Sequence, residues 1–274
     1  MLDLEKKIAA LIERAEEDLQ ETFAGFEETG LYNQGRVLEA FREERVGTHH
    51  FASSTGYGYS DPGRETLERI FARVFDGEAA LVRQQIVSGT HIISCCLFGI
   101  LRPGGELLFA TGPPYETLRT VTGLEGNAPG NLKEFGVTTK VVPLQPDGRI
   151  DMDRLLQEIT PATQMIAFQR SCGYEQRPST NISELAEVFA RLNRMESCPV
   201  LFVDNCYGEF TETREPGAVG AHLVAGSLMK NPGGGGVPGG GYVVGKTELI
   251  RRVAAHLYAP GLESEVGPSL LNLR

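Results

Sequence analysis

The sequence predicts an α/β protein with a mainly parallel, seven-stranded sheet and an N-terminal helical arm. Two observations carry this. From Glu78 onward, seven short apolar runs alternate with longer segments of helical periodicity. Ahead of Glu78 that alternation is missing, and the chain opens on a charged amphipathic stretch. Alternating strand and helix places successive strands parallel, because each helix returns the chain to the same edge of the sheet.

The elements run in order. Leu4, Ile8, Leu11, Ile12, Ala15 and Leu19 recur at helical spacing among charges, which predicts an amphipathic helix. A polar, irregular stretch is expected from there to about Ser60. Asp61-Pro62 then opens a helix, with Asp as N-cap and Pro in the first turn. Leu67, Ile70, Phe71 and Val74 form its buried face. The strand candidates are residues 79–82, 107–110, 140–144, 165–168, 200–203, 223–227 and 242–244. The helices between and after them cover residues 90–101, 115–122, 152–159, 183–192 and 248–257. Three units are expected: an arm with an irregular segment over 1–60, a large domain over 61–257, and the start of a further region over 258–274.

The chain has 274 residues, 41% of them hydrophobic, enough for a sizeable core. A formal net charge of −10 argues against a nucleic acid partner, whose phosphates it would repel. No run of eighteen apolar residues occurs, and residues 1–18 have no apolar signal-peptide core. No membrane partner is therefore expected. Cys95, Cys96, Cys172, Cys198 and Cys206 are odd in number and lack C-x-x-C spacing. Reduced thiols and a cytoplasmic location are the simple expectation, with Cys95 and Cys96 in the core.

Four pieces carry chemistry. Val200-Leu201-Phe202-Val203 reads as a buried strand with Asp204 at its carboxyl end. A carboxylate there is costly unless paired, so it either caps a turn or faces a cationic ligand. Lys230 follows the strand ending at Ser227 and precedes a glycine run. Such a lysine is either a surface charge or an amine in an uncrowded pocket, where it can form a Schiff base. Ser88-Gly89-Thr90-His91 lies between a strand and a helix, where free N–H groups can bind phosphate. Tyr115 follows Gly112-Pro113-Pro114 at another strand-to-helix turn and could pack in the core or stack on a flat ring. Phosphate loop, stacking aromatic, strand-end acid and lysine are together what pyridoxal 5'-phosphate requires: donors, a ring face, a carboxylate for its ring nitrogen and an amine for its aldehyde.

With these pieces the sequence resembles the aluminium-resistance, methionine gamma-lyase-like branch of fold-type-I pyridoxal phosphate enzymes, related to the transsulfuration enzymes. The matching segments are TGYGYSDPGRETLE (55–68), VSGTHI (87–92), ATGPPYETL (110–118), VDNCYGEF (203–210) and SLMKNPGGG (227–235). The resemblance implies an aspartate-aminotransferase-type large domain in a homodimer or homotetramer with active sites at subunit interfaces. It implies Lys230 as the Schiff-base lysine, Asp204 on the pyridinium nitrogen and Tyr115 on the ring. Gly89 and Thr90 would donate to the phosphate, and Ser227 would add a hydroxyl. The implied substrate is a small sulfur-containing amino acid, cleaved at a carbon–sulfur bond by elimination. The family's wider relatives place Tyr-x-Arg just ahead of the segment matching 59–64, to hold a neighbour's phosphate. Here Gly56 and Gly58 stand at those positions, and Tyr57 or Tyr59 is the expected substitute. Family members also continue past the position of Arg274, with a small domain that supplies an arginine for the substrate carboxylate. A truncated chain is thus expected, with Leu270, Leu271 and Leu273 packing against that small domain in a complete protein.

Two rival readings remain. Gly240-Gly241-Tyr242-Val243-Val244-Gly245-Lys246-Thr247 fits the G-x-x-x-x-G-K-T pattern of nucleotide hydrolases. It lacks the apolar strand that should precede it, and 242–244 is itself a strand candidate. The other is a non-catalytic or degenerate subunit that keeps the fold and the cofactor site without turnover.

Overall fold

The computed structural model describes residues 2–55 and 59–267. Two helices open the chain, α1 (Leu2–Asp18) and α2 (Gln20–Glu43), and α3 (Pro62–Val74) follows. Asp61 caps α3 as its sequence predicts, accepting the Arg64 amide at 2.9 Å. The strands are β1 (Ala79–Arg83), β2 (Glu106–Phe109), β3 (Thr138–Val141), β4 (Thr163–Gln169), β5 (Val200–Asp204), β6 (Leu223–Ser227) and β7 (Gly241–Gly245). Between and after them run α4 (Gly89–Ile100), α5 (Glu116–Thr122), α6 (Met152–Glu158), α7 (Ile182–Leu192) and α8 (Thr247–Leu257).

Seven strands form one sheet in the order β1-β7-β6-β5-β4-β2-β3, with β3 starting two residues earlier than the expected 140–144, where Pro143 has no amide for the ladder. It is parallel from β3 through β6, and β7 runs antiparallel to both its neighbours. Side chains alternate across it. Leu201 and Val203 of β5 pack with Leu185 and Phe189 of α7, whereas Phe202 turns to the layer of α4 and α8. Each large side chain so buried contributes roughly 1.5–3 kcal/mol. Cys95 and Cys96 lie in the second layer, as expected of packing cysteines. No helix among the described residues is long and apolar enough to cross a membrane.

The irregular stretch expected before Ser60 is in large part helical, because α2 occupies Gln20–Glu43. Gly25, Gly30 and Gly35 lie inside it and weaken the helical signal. Tertiary contacts hold it instead. Asn33 is buried and donates to the carbonyls of Phe210 and Glu212 at 3.1 and 3.0 Å. Arg36 reaches the Val74 carbonyl and the Asp76 carboxylate. At the other end of the chain, two buried arginines hold the segment after α8. Arg64 donates to the carbonyls of Glu265 and Gly267, and Arg83 to that of Ser264. The expected packing of Leu270, Leu271 and Leu273 lies outside the described residues.

Candidate functional site

The carboxyl ends of β4, β5 and β6 open onto a cleft of about 830 Å3. Gly89, Thr90, Tyr115, Asp204, Ser227 and Lys230 all line it. Ligands of open α/β sheets occupy this end of the strands. Tyr59 is not in the cleft of its own chain. It is exposed, and its carbonyl accepts from Arg64 at 3.0 Å. Gly56, Tyr57 and Gly58 lie outside the described residues.

One wall is the start of α4. Ser88 is its N-cap, and its hydroxyl accepts the His91 amide at 3.1 Å. Gly89 and Thr90 are the first two helical residues, whose amides have no acceptor within a helix. Both line the cleft, and free amides at a helix start can bind an anion. A side chain at 89 would crowd the cleft, since a Cβ there would lie 3.3 Å from both Cys206 Sγ and Ser227 Cβ. Tyr115 caps α5 from the next loop, and its hydroxyl donates to Thr90 Oγ1 at 3.1 Å. Burial, aided by the charge of Asp204, pushes the phenol well above its usual range, so it remains a neutral donor.

Asp204 closes β5 and is 5% exposed. Its Oδ1 accepts the Cys206 amide at 3.1 Å. Burial pushes its pKa up, against the opposing effects of Cys206 and of the Lys230 charge. A cationic group in the cleft would relieve that penalty. Lys230 sits in the turn after β6. The Leu228 amide donates to the Gly240 carbonyl, and the Met229 amide to Ser227 Oγ at 3.2 Å. Ser227 Oγ keeps its proton for the cleft, since in that bond it accepts.

Sequence reasoning missed the support beneath this cleft. Arg170, at the end of β4, donates to Asn205 Oδ1, to the carbonyls of Gly208 and Thr180, and to the Glu212 carboxylate. Its nitrogens are thus committed within the fold. Asn205 is fully buried and donates to Glu215 Oε2 and to the Tyr242 hydroxyl, which donates in turn to Glu209 Oε1 at 3.0 Å. Single polar residues scattered over three strand ends carry no periodicity, so only the fold reveals them.

Glu209 is buried with one carboxyl oxygen unpartnered. Burial, with smaller contributions from Glu215 and Asp204, raises its pKa from 4.5 to about 7. Between those two values the folded chain holds a proton that the unfolded chain has lost. Stability contributed by this group is therefore present at low pH and falls as pH rises through that window. Glu209→Gln removes the slope. Relative to wild type, the variant should gain stability between pH about 5 and pH about 8, by ~3 kcal/mol at most. Urea unfolding at the two pH values measures it, and an unchanged difference contradicts it.

The nucleotide-hydrolase reading fails here. Gly241–Gly245 is strand β7, not a loop, and Thr247 begins α8 with Lys246 as its cap. No phosphate-cradling turn exists within the motif.

The comparisons agree with the fold. The uncharacterized protein YnbB of Bacillus subtilis is 48% identical over 274 residues, covering 99% of this chain and 64% of its own length. The crystal structure of a Listeria monocytogenes protein involved in aluminum resistance superposes with a TM-score of 0.93 at 47% identity, covering 96% of this chain and 65% of the other. That of a carbon-sulfur lyase involved in aluminum resistance from Clostridium novyi gives 0.91 at 41% identity, covering 96% and 63%. The chain thus spans just under two thirds of the length of these relatives. A family model described as methionine gamma-lyase matches residues 8–274, a span that includes every residue lining the cleft. On that match, and on a fold shared with solved relatives, the chain belongs to the methionine gamma-lyase family.

Proposed function

We propose that the protein binds pyridoxal 5'-phosphate and acts as a carbon–sulfur lyase on a sulfur-containing amino acid. One observation carries the reading: an anion cradle, a neutral tyrosine, a buried acid short of a cation, and a lysine share one cleft. The amides of Gly89 and Thr90 and the Ser227 hydroxyl would take the phosphate. Tyr115 would face the ring, Asp204 its nitrogen, and Lys230 its carbonyl carbon. When bound, the cofactor supplies an electron sink for charge developing at the substrate's Cα.

The chain's own groups do the rest. The free amine of Lys230 would be the base for the Cα proton. Asp204 keeps a proton on the ring nitrogen, because a buried carboxylate is stabilised by a cation and not by a neutral ring. Among the described residues, no arginine in this cleft is spare for the substrate carboxylate, since Arg170 is committed. The arm supports assembly into a homodimer or homotetramer. Leu4, Leu11, Phe26 and Leu31 are all more than half exposed on α1 and α2, an apolar face for a second subunit.

The test has two stages. The chain with added cofactor should absorb visible light. L-cystathionine, L-cysteine and L-methionine are then screened for paired release of keto acid and thiol. Cofactor uptake with no product from any of them would favour a non-catalytic subunit. No uptake at all sinks the proposal.

Cys206 is predicted to be dispensable. Burial, and then the charge of Asp204, push its thiol far above the range in which a thiolate forms. Cys206→Ser should keep at least ~10% of turnover, a barrier change below about 1.4 kcal/mol. A thousandfold loss with cofactor still bound would make the thiol a participant.

A further inference from the structure

Tyr207 has no role in the reading above, yet it lines the cleft in an unusual state. It is 60% exposed, and its φ is +67°, a left-handed conformation that non-glycine residues rarely adopt. The turn that holds it there is fixed from beneath. The Gly208 amide donates to the Asn205 carbonyl at 2.8 Å, and the Gly208 carbonyl accepts from Arg170 at 2.6 Å. A Cβ at 208 would lie 2.6 Å from Arg170 Nη1, so only glycine fits there. The strain at Tyr207 is thus imposed by a buried network, the situation in which a strained residue serves a site.

The ring so presented meets the lysine. Lys230 Nζ lies 4.0 Å from the centroid of the Tyr207 ring. A second tie joins the same two segments. The side chain of Asn231, next to Lys230, donates to the Glu209 carbonyl at 2.9 Å. The lysine is therefore gripped at both ends, by its amine on the ring and by its backbone neighbour on the same turn.

We propose that Tyr207 is a positioning residue for Lys230, its ring holding the free ammonium at the cleft whenever the lysine is not covalently engaged. The inference rests on the reading of Lys230 as the cofactor lysine. The physical reason is entropic. A lysine side chain has four rotatable bonds, and an unrestrained amine spends most of its time in solvent. An aromatic face attracts the ammonium and holds it in one place. The amine then waits where the cofactor's carbonyl arrives: it gives one proton to solvent, its nitrogen bonds the carbonyl carbon, and the carbonyl oxygen leaves as water.

The experiment separates lysine from cradle by using two ligands. Pyridoxal 5'-phosphate can link to the amine. Pyridoxine 5'-phosphate has the same ring and phosphate, with an alcohol in place of the aldehyde, and cannot. In Tyr207→Leu, covalent capture of the aldehyde, trapped with borohydride and mapped to Lys230 by peptide mass, should slow about fivefold. Affinity for the alcohol should stay within about twofold, because the cradle is untouched. Tyr207→Phe keeps the aromatic face and should restore capture. Wild-type capture rates in Tyr207→Leu overturn the proposal. So does loss of both ligands together, which means collapse of the turn, or failure of Tyr207→Phe alongside Tyr207→Leu. A wild-type chain that binds the alcohol but never links the aldehyde at Lys230 overturns the assignment of the lysine, and this inference with it. Failure to bind either ligand overturns the cofactor reading itself.

Discussion

After borohydride reduction with pyridoxal 5'-phosphate, Lys230→Ala should yield no pyridoxyl peptide from the cleft, and turnover should fall by at least ~10^3. The wild-type chain should carry the label on the peptide containing Lys230. The argument is positional. Lys230 is the lysine that lines the cleft, beside Asp204 and Ser227. Lys140 lies on β3 and pairs with Glu106 at 2.7 Å, and Lys246 caps α8. Neither lines that cavity. Substitution removes both the amine that links to the cofactor and the base that would take the Cα proton, so the two losses combine. Lys230→Arg keeps the charge over Tyr207 but cannot make the link, and should be equally inactive. Label on Lys140 or Lys246 in the wild-type chain, or turnover surviving in Lys230→Ala, ends the assignment.

Asp204→Ala should lower turnover by about 10^2–10^3 while cofactor affinity changes by less than about tenfold. The asymmetry follows from what each group holds. The phosphate cradle of α4 and the lysine would retain the cofactor, and neither depends on Asp204 for its geometry. What the carboxylate controls is a proton on the ring nitrogen. Burial raises the pKa of Asp204, and a cation opposite would favour the charged form of that carboxylate. Without it the ring loses that partner and accepts electrons poorly. The measurement pairs a cofactor titration with a rate. Wild-type turnover in the variant, or loss of cofactor in step with loss of rate, would place Asp204 among the structural residues of β5.

The central strands were legible because each has a short apolar run between turn residues, whereas edge strand β3, TTKV, is mostly polar. Their ends were legible for the same reason: Asp204 and Lys230 stand out against apolar neighbours. α2 was not. Its glycines and its exposed Phe23 and Phe26 blur the apolar stripe, and it is held by Asn33 and Arg36, which reach residues far along the chain. β7 shows a subtler limit. Its residues were read as a strand, but nothing local announces that it runs against its neighbours. The Arg170–Asn205–Tyr242–Glu209 chain was invisible for want of any spacing rule linking three strand ends. Tyr207 was hidden too, since a positive φ is a property of the turn and leaves no mark on a tyrosine in sequence.

The grip of Arg64 and Arg83 on the segment after α8 is made to main-chain oxygens. Every residue type offers that oxygen, so the two guanidinium groups read the path of the chain and ignore its spelling. Residues 264–266 can therefore drift in identity without loosening the attachment, whereas Gly267, at a φ of +108°, cannot. The arginines have no such freedom. Arg64 spans the carbonyls of Tyr59, Glu265 and Gly267 with two nitrogens, a reach that a lysine's single ammonium does not match. Substitutions in this corner should be tolerated on the strap and rejected on the clasp.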